Sequence, residues 1–256
     1  MTKNLATYLK DQSTALTTNL DPPKVALAVG AHPDDIEFGC GGTLAKWAST
    51  GTKIFHLILT DGSKGSWEGA TSEENLIALR ESEATQAAAH ISSSPSVTFL
   101  RYVDGELPHN LLVASQIADH IRMVKADAVL GHDPWKMYRL HPDHRSAGFN
   151  LTDAIVIARD PLFLKGSKHT HFRPNHLLLW EAQEEDHAEE ISDFLGKKIS
   201  ALLEHRSQLS TSMGVDSPSN TDQVHGFRSQ IVESASTAAE SFSLQHAEAF
   251  KRISDL

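Results

Sequence analysis

Five short runs dense in Val, Ile, Leu and Phe recur along the chain: KVALAVGA (residues 24 to 31), KIFHLILT (53 to 60), SVTFLRYV (96 to 103), DAVLGHD (127 to 133) and NHLLLWEA (175 to 182). Each is of strand length and apolar on both faces, as a parallel strand covered by helices on either side must be. The stretches between and after them carry helical periodicity and predict helices over 39 to 50, 72 to 91, 110 to 125, 144 to 158 and 188 to 208. Thr71 and Glu74 have capping-box spacing at the head of the second helix. Strand and helix in alternation predict a Rossmann-like α/β fold, a doubly wound and mostly parallel sheet with helices on both faces.

One domain over residues 1 to 256 accommodates these elements, because no Pro/Gly/Ser-rich linker, repeat or low-complexity tract interrupts them. Within it, residues 1 to 22 read as an N-terminal extension, 210 to 230 as a loop, either a plain connector or a mobile flap, and 235 to 253 as a C-terminal helix. A formal charge of −10 and the lack of any Lys/Arg run exclude a nucleic-acid footprint and an anionic membrane surface. No apolar run reaches membrane length, and the first twenty residues lack the apolar core of a secretory signal. The single cysteine, Cys40, rules out an internal disulfide and fits a reducing compartment, so a cytoplasmic protein is expected. Composition leaves a homo-oligomer open.

In open parallel sheets the loops at the carboxyl ends of the strands converge on one crevice. Two such loops here are rich in His and Asp: AHPDDIE after the first strand and GHDPWKMYRLHPDHRSAG (131 to 148) after the fourth. Asp34, Asp35 and Glu37 put three carboxylates within four residues, and they repel one another unless a cation sits among them. His32 and Asp35 from the first loop and His144 from the second supply two imidazoles and one carboxylate, the donor set of a catalytic zinc site that keeps a fourth position for water. Asp34, one residue from a ligand, points elsewhere and can accept a proton from that water. His141 offers an imidazole able to donate to an oxyanion, and Asp143 a carboxylate able to hold and charge it. The cofactor expected is Zn2+, with Fe2+ as an alternative occupant of the same donors. GCGGT is not a dinucleotide fingerprint, because Leu44 stands where the third glycine belongs. Its glycines instead let the helix start approach the first loop closely.

GAHPDDIEFGCGGTLAKWASTG, LTDGSKGS, LRESEATQAA, FLRYVDGEL and HPDHRSAG stand in this order along the chain. In their order and spacing they resemble the LmbE-like, or PIG-L-like, metal-dependent de-N-acetylases over about residues 24 to 150, with a fainter echo in KKISALLEHRSQ (197 to 208). The resemblance implies hydrolysis of the acetamide of an N-acetylglucosamine-type sugar conjugate, a small-molecule partner. It implies His32, Asp35 and His144 as zinc ligands and Asp34 as general base. His141 is similar to the group that stabilises the oxyanion or protonates the leaving amine, and Asp143 to its carboxylate partner. Arg80, in LRESEA, looks like the arginine that reaches a sugar or aglycone hydroxyl, and Asp104, in VDGEL, like a second substrate-binding residue. One position departs from the pattern: where some relatives carry a tyrosine two residues before the His-x-Asp-His motif, this chain has Arg139. Tyr138 lies one residue earlier and is kept out of the catalytic set.

Three other readings fit the same residues. One is an amidase acting on a larger N-acyl group of a thiol or sugar conjugate. Another is a non-haem Fe(II) oxygenase, whose facial triad uses the same donors. The last is a catalytically silent sugar-binding protein. An open α/β sheet argues against the oxygenase, and intact acid and base positions argue against the silent protein.

Overall fold

Residues 15 to 67 and 72 to 256 are described by the structure, a computed structural model. They build one eight-stranded sheet from β1 (Thr17–Thr18), β2 (Val25–Gly30), β3 (Lys53–Thr60), β4 (Ser96–Tyr102), β5 (Ala128–His132), β6 (His176–Trp180), β7 (His187–Glu190) and β8 (Ala247–Ser254). The order across the sheet is β1-β7-β8-β6-β5-β2-β3-β4. Strands β2 to β6, the five apolar runs, are mutually parallel, and β8 runs antiparallel to both β6 and β7. The mostly parallel, doubly wound architecture expected from the sequence is the one observed.

Seven α-helices accompany this sheet among the described residues: α1 (Asp35–Ser49), α2 (Glu73–Ile91), α3 (Leu111–Val124), α4 (Pro142–Arg159), α5 (Leu195–Glu204), the single turn α6 (Leu209–Ser212) and α7 (Thr221–Ala239). The period of two along β2 divides the core. Leu27 and Val29 join one face, closed by Ile117 and Ile121 of α3 and Leu151 of α4. Ala26 and Ala28 join the other, closed by Leu44 and Trp47 of α1, Ala84 and Ile91 of α2, and Ala201 of α5. Strand order reverses between β2 and β5, which pair with each other before the chain winds outward to β3 and β4 on one side and to β6 on the other. Ligands of such sheets enter above the carboxyl ends of the strands at that reversal. Both His/Asp loops leave from those ends.

Helix α1 is broken at Cys40, a fully buried residue whose φ of −151° interrupts the helical run. Glu248 of β8 caps the restart: its carboxylate oxygens accept from Gly42 N at 2.9 Å and Thr43 N at 2.7 Å. Lys198 balances that charge at 2.6 Å and donates to Phe38 O at 2.7 Å. A Cβ on Gly42 would come within 2.8 Å of Ile191, and one on Gly39 within 2.4 Å of the Trp180 ring. The glycines therefore do serve close packing, against Trp180 and Ile191 rather than against the first loop.

Beyond residue 186 the structure departs from the sequence expectations. The helix expected over 188 to 208 begins as strand β7, and only Leu195–Glu204 forms the α-helix of that stretch. The loop expected over 210 to 230 contains part of α6 and the first half of α7, whose Asn220 cap accepts from Gln223 N. The C-terminal helix expected over 235 to 253 is corrected: α7 stops at Ala239, Ser243 turns the chain at φ 57°, and Ala247–Ser254 is strand β8. AEAFKRIS has no strong strand propensity, but it is paired on both sides by β6 and β7, and that tertiary pairing outweighs a local preference worth tenths of a kcal/mol per residue, roughly. The N-terminal extension contributes β1, which pairs with β7 through Thr17 and His187. Thr71 of the expected capping box lies outside the described residues, and α2 is headed by Ser72. Among the described residues no helix is long and apolar enough to cross a membrane.

Candidate active site

At the end of β2 the chain turns sharply. His32 N donates to Asp35 Oδ2 at 2.7 Å, and Asp34 is held at φ 117°, a backbone state that costs a residue with a side chain about 1–3 kcal/mol. Strain of this size persists where the surroundings over-determine it, and here it separates two adjacent carboxylates. Asp35 faces the histidines of the second loop, while Asp34 faces Arg80. On the other side of the crevice Pro142 opens α4, a position where its missing N–H is no loss. His141 caps that helix, its Nδ1 accepting from Asp143 N at 3.3 Å, so the ring hydrogen sits on Nε2.

Three side chains meet at the centre. His32 Nδ1 and His144 Nε2 are 3.2 Å apart, His32 Nδ1 and Asp35 Oδ2 3.3 Å, and His144 Nε2 and Asp35 Oδ1 3.3 Å. Ligand atoms on a tetrahedral zinc ion with bonds of about 2.0–2.1 Å stand about 3.3 Å from each other; the two imidazole nitrogens have that spacing, and each has it to one of the two Asp35 oxygens. His141 also brings a ring nitrogen within 4.8 Å of those of His32 and His144. The donor set, two imidazoles and a carboxylate, is chemically that of a catalytic zinc site, and the residues fit the ion.

The outer contacts fix the direction of each donor. His32 Nε2 lies 3.1 Å from Asp143 Oδ2 and 3.2 Å from Asp104 Oδ1, which assigns the ring hydrogen to Nε2 and turns the Nδ1 lone pair to the centre. Burial alone would depress the His32 pKa, but Asp35, Asp104 and Asp143 outweigh it and hold it well above the ordinary value. The surroundings thus favour positive charge at this point. Trp180 Nε1, which can only donate, gives its hydrogen to His132 Nδ1 at 3.0 Å; His132 Nε2 then donates to Asp35 Oδ2 at 3.1 Å. Burial would raise the Asp35 carboxyl, yet His144, His132 and His32 bring it well below the usual range.

Asp34 has different surroundings. It is buried, its nearest cation is Arg80 Nη2 at 3.7 Å, and burial, opposed by Arg80 and reinforced by Asp35, pushes its pKa up to about 6. Burial first, then the neighbouring rings of His32 and His144, lower the pKa of His141. A cavity of 580 Å³ opens over these groups, with His32, Asp34, Asp35 and His144 at its base and Lys64 and Gln208 in its wall.

His32, Asp34, Asp35, His141 and His144 are therefore brought together as the sequence suggested. Asp143 is also present but serves another partner: its fully buried carboxylate accepts from Gly105 N at 2.6 Å and Leu107 N at 3.1 Å and faces His32, not His141. The cap explains this: His141, in extended backbone, turns its ring over the Asp143 N–H, and the Asp143 side chain is left to point at His32. Asp104 likewise stands behind His32 and accepts from Lys64 N at 3.2 Å. Arg80, expected to reach a sugar hydroxyl, is buried and commits Nη1 to Gly62 O at 2.9 Å and Nη2 to Pro33 O at 2.7 Å. It ties the first loop to the one after β3. Tyr138 is exposed, whereas Arg139 turns inward, its Nη1 at 2.7 Å from Glu181 and 3.1 Å from His132 Nδ1. Sequence reasoning missed His132, Trp180 and the Arg139–Glu181 pair. A third histidine at the end of β5 was the available signal.

A family model described as PIG-L, GlcNAc-PI de-N-acetylase, matches residues 27–155. Diacetylchitobiose deacetylase of Thermococcus kodakarensis is 34% identical over 188 residues, which cover 72% of this chain and 70% of that one. The 1D-myo-inositol 2-acetamido-2-deoxy-alpha-D-glucopyranoside deacetylase of Rhodococcus erythropolis is 31% identical over 160 residues, 53% of this chain and 54% of that one. Among solved structures, N,N'-diacetylchitobiose deacetylase from Pyrococcus horikoshii matches with a TM-score of 0.79 and 25% identity, covering 91% of this chain and 84% of that one.

Proposed function

The chain belongs to the PIG-L family and is an N-deacetylase, and from that premise we propose that it removes the acetyl group from the amide of an N-acetylglucosamine-type sugar conjugate, with zinc held by His32, Asp35 and His144. The observation that carries this reading is the convergence of two imidazole nitrogens and one carboxylate, with His32 Nδ1 3.2 Å from His144 Nε2 and each of them 3.3 Å from an oxygen of Asp35, at the base of the cavity. Bound there, zinc would supply Lewis acidity, polarising a carbonyl and bringing the pKa of water from about 15.7 towards about 7.

The rest is done by the protein's own side chains. Asp34 takes the proton of the attacking water; a pKa lifted by burial makes it a stronger base than a solvated aspartate, and Arg80 favours its ionised form. The water oxygen bonds to the acetyl carbon and the carbonyl electrons move to oxygen. His141 donates from Nε2 to that oxyanion, a contribution of about 3 kcal/mol, or roughly a hundredfold in rate, for a preorganised donor. When the C–N bond breaks, the proton held by Asp34 passes to the nitrogen, and acetate and a free amine leave. Asp104 and Asp143 hold His32, and His132 holds Asp35.

The test is acetate and primary-amine release from N-acetylglucosamine and its conjugates before and after chelation, with zinc and Fe(II) added back separately. Equal release of both products, lost on chelation and restored by zinc, is expected. Full activity in metal-free protein would end the metal reading, restoration by Fe(II) alone would replace zinc, and turnover only of longer acyl groups would assign the chain to the larger-acyl amidases.

A further inference from the structure

The cleft continues past the donor triangle. Phe38, Gly39, Glu181 and Ser234 line both the 580 Å³ chamber and a second cavity of 240 Å³, so the two form one groove. The annex runs between the first turn of α1, helix α7 and strand β8. Ala235 and Ala238 of α7 and Ala247 and Ala249 of β8 give it a wall of one-carbon side chains, a low relief against which a ring can lie. Its polar wall is made by Glu181, Glu185, Glu248, Lys136 and Lys198.

That polar wall is charged but balanced. Arg139 pairs with Glu181 at 2.7 Å, and Lys198 pairs with Glu248 at 2.6 Å while also donating to Phe38 O. Lys136 is the cation whose charge acts on Glu185. Three acids thus face three cations, and two of those cations are already bound to their acids. Such a surface presents oxygens to hydroxyl groups, but an entering phosphate or carboxylate would meet Glu181 and Glu185 without a free pair of cations to hold it.

We propose that the annex is a second binding site, which takes the aglycone of the substrate when that aglycone is a neutral hydroxylated ring and discriminates against an anionic one. The proposal rests on the deacetylase reading, since the chamber must hold the acetamide for the annex to hold the rest of the same molecule.

Two measurements test it on three probes: N-acetylglucosamine, its neutral β-linked disaccharide and N-acetylglucosamine 1-phosphate. The first is kcat/KM for acetate release by the zinc-loaded protein, and the second is calorimetric affinity for the D34N protein. Two net hydrogen bonds from a second ring, each worth about fivefold, give the disaccharide an advantage of at least about tenfold in both. The phosphate gains nothing over the monosaccharide. Ala238→Trp fills the annex and removes the disaccharide advantage while monosaccharide turnover stays within about twofold. Glu185→Lys, at an exposed position, raises affinity for the phosphate about fivefold. Equal affinity for one ring and two, an advantage that survives Ala238→Trp, or native preference for the phosphate would overturn the proposal. Turnover of the monosaccharide with equal affinities removes the annex and leaves the reaction. Tighter disaccharide binding that Ala238→Trp abolishes, with no acetate released from any probe, removes the reaction and leaves the annex as a binding site.

Discussion

Replacing Asp143 by Asn keeps the shape of a side chain that has no exposure and removes its charge. The carboxylate faces three donors: Gly105 N at 2.6 Å and His32 Nε2 at 3.1 Å on Oδ2, and Leu107 N at 3.1 Å on Oδ1. An asparagine matches only one oxygen. With its carbonyl in the Oδ2 place two bonds survive, and its NH2 group then points at the Leu107 N–H. Two opposed donors in a buried site cost about 1–3 kcal/mol. For a chain of this length that lowers Tm by roughly 4–8 °C, taking a cost of about 2 kcal/mol and 2–4 °C for each. His32 also loses an anionic partner of the kind worth about 10–100-fold in metal affinity. The expectation for Asp143→Asn is therefore a lower Tm in a fluorescence melt, a zinc Kd 10–100-fold weaker by chelator competition, roughly, and kcat at saturating zinc down by less than about tenfold. Zinc affinity within about twofold of native together with a hundredfold fall in kcat would refute the argument, because that pattern belongs to a carboxylate serving His141.

Asp34→Asn should keep zinc affinity within about threefold and lose about 10²–10⁴-fold in kcat; near-normal turnover would remove Asp34 as the base. Gly39→Ala presses a methyl against the Trp180 ring and should cost about 1–3 kcal/mol, read as a lower urea midpoint, with an unchanged midpoint counting against the packing account. Glu189 gives a pH test away from the candidate site. Burial pushes its carboxyl up, but His187 at 3.0 Å and Lys46 at 2.7 Å prevail and hold it below the usual value. Its stabilisation is then complete above the unfolded carboxyl pKa of about 4.3 and is lost as pH falls through the lower folded value. Glu189→Gln should be less stable than the native protein at pH 7, with the gap closing below about pH 4; a gap constant from neutral to acid pH would contradict the sign.

What could be read from the sequence is what local pattern and tertiary environment state alike. Strands β2, β3, β5 and β6 are apolar on both faces because both faces are covered, so their runs identify them; β4, at the sheet edge, is only half-buried and is identified by its Val, Phe and Leu. HAEE of β7 has no such pattern; it is a strand because β1 and β8 flank it. The same holds for β8, whose strand state comes from pairing partners distant in sequence. In the site, the convergence of His32, Asp35 and His144 was legible because the chemistry of a metal restricts donor types, and the three side chains do meet. Asp143 was assigned to its sequence neighbour His141, whereas its carboxylate reaches a residue 111 positions away. His132 escaped notice for a related reason: its importance comes from Trp180 on the adjoining strand, and one-dimensional order does not reveal that contact.

The carboxylate that caps the restart of α1 comes from a residue 206 positions beyond Gly42. A nascent chain that has left the ribosome only as far as α5 already carries His32, Asp35 and His144, yet the Gly42 and Thr43 amides at the restart of α1 still lack their cap. Translation must run past Glu248 before that cap can form, so α1, synthesised early, is completed by a strand synthesised late.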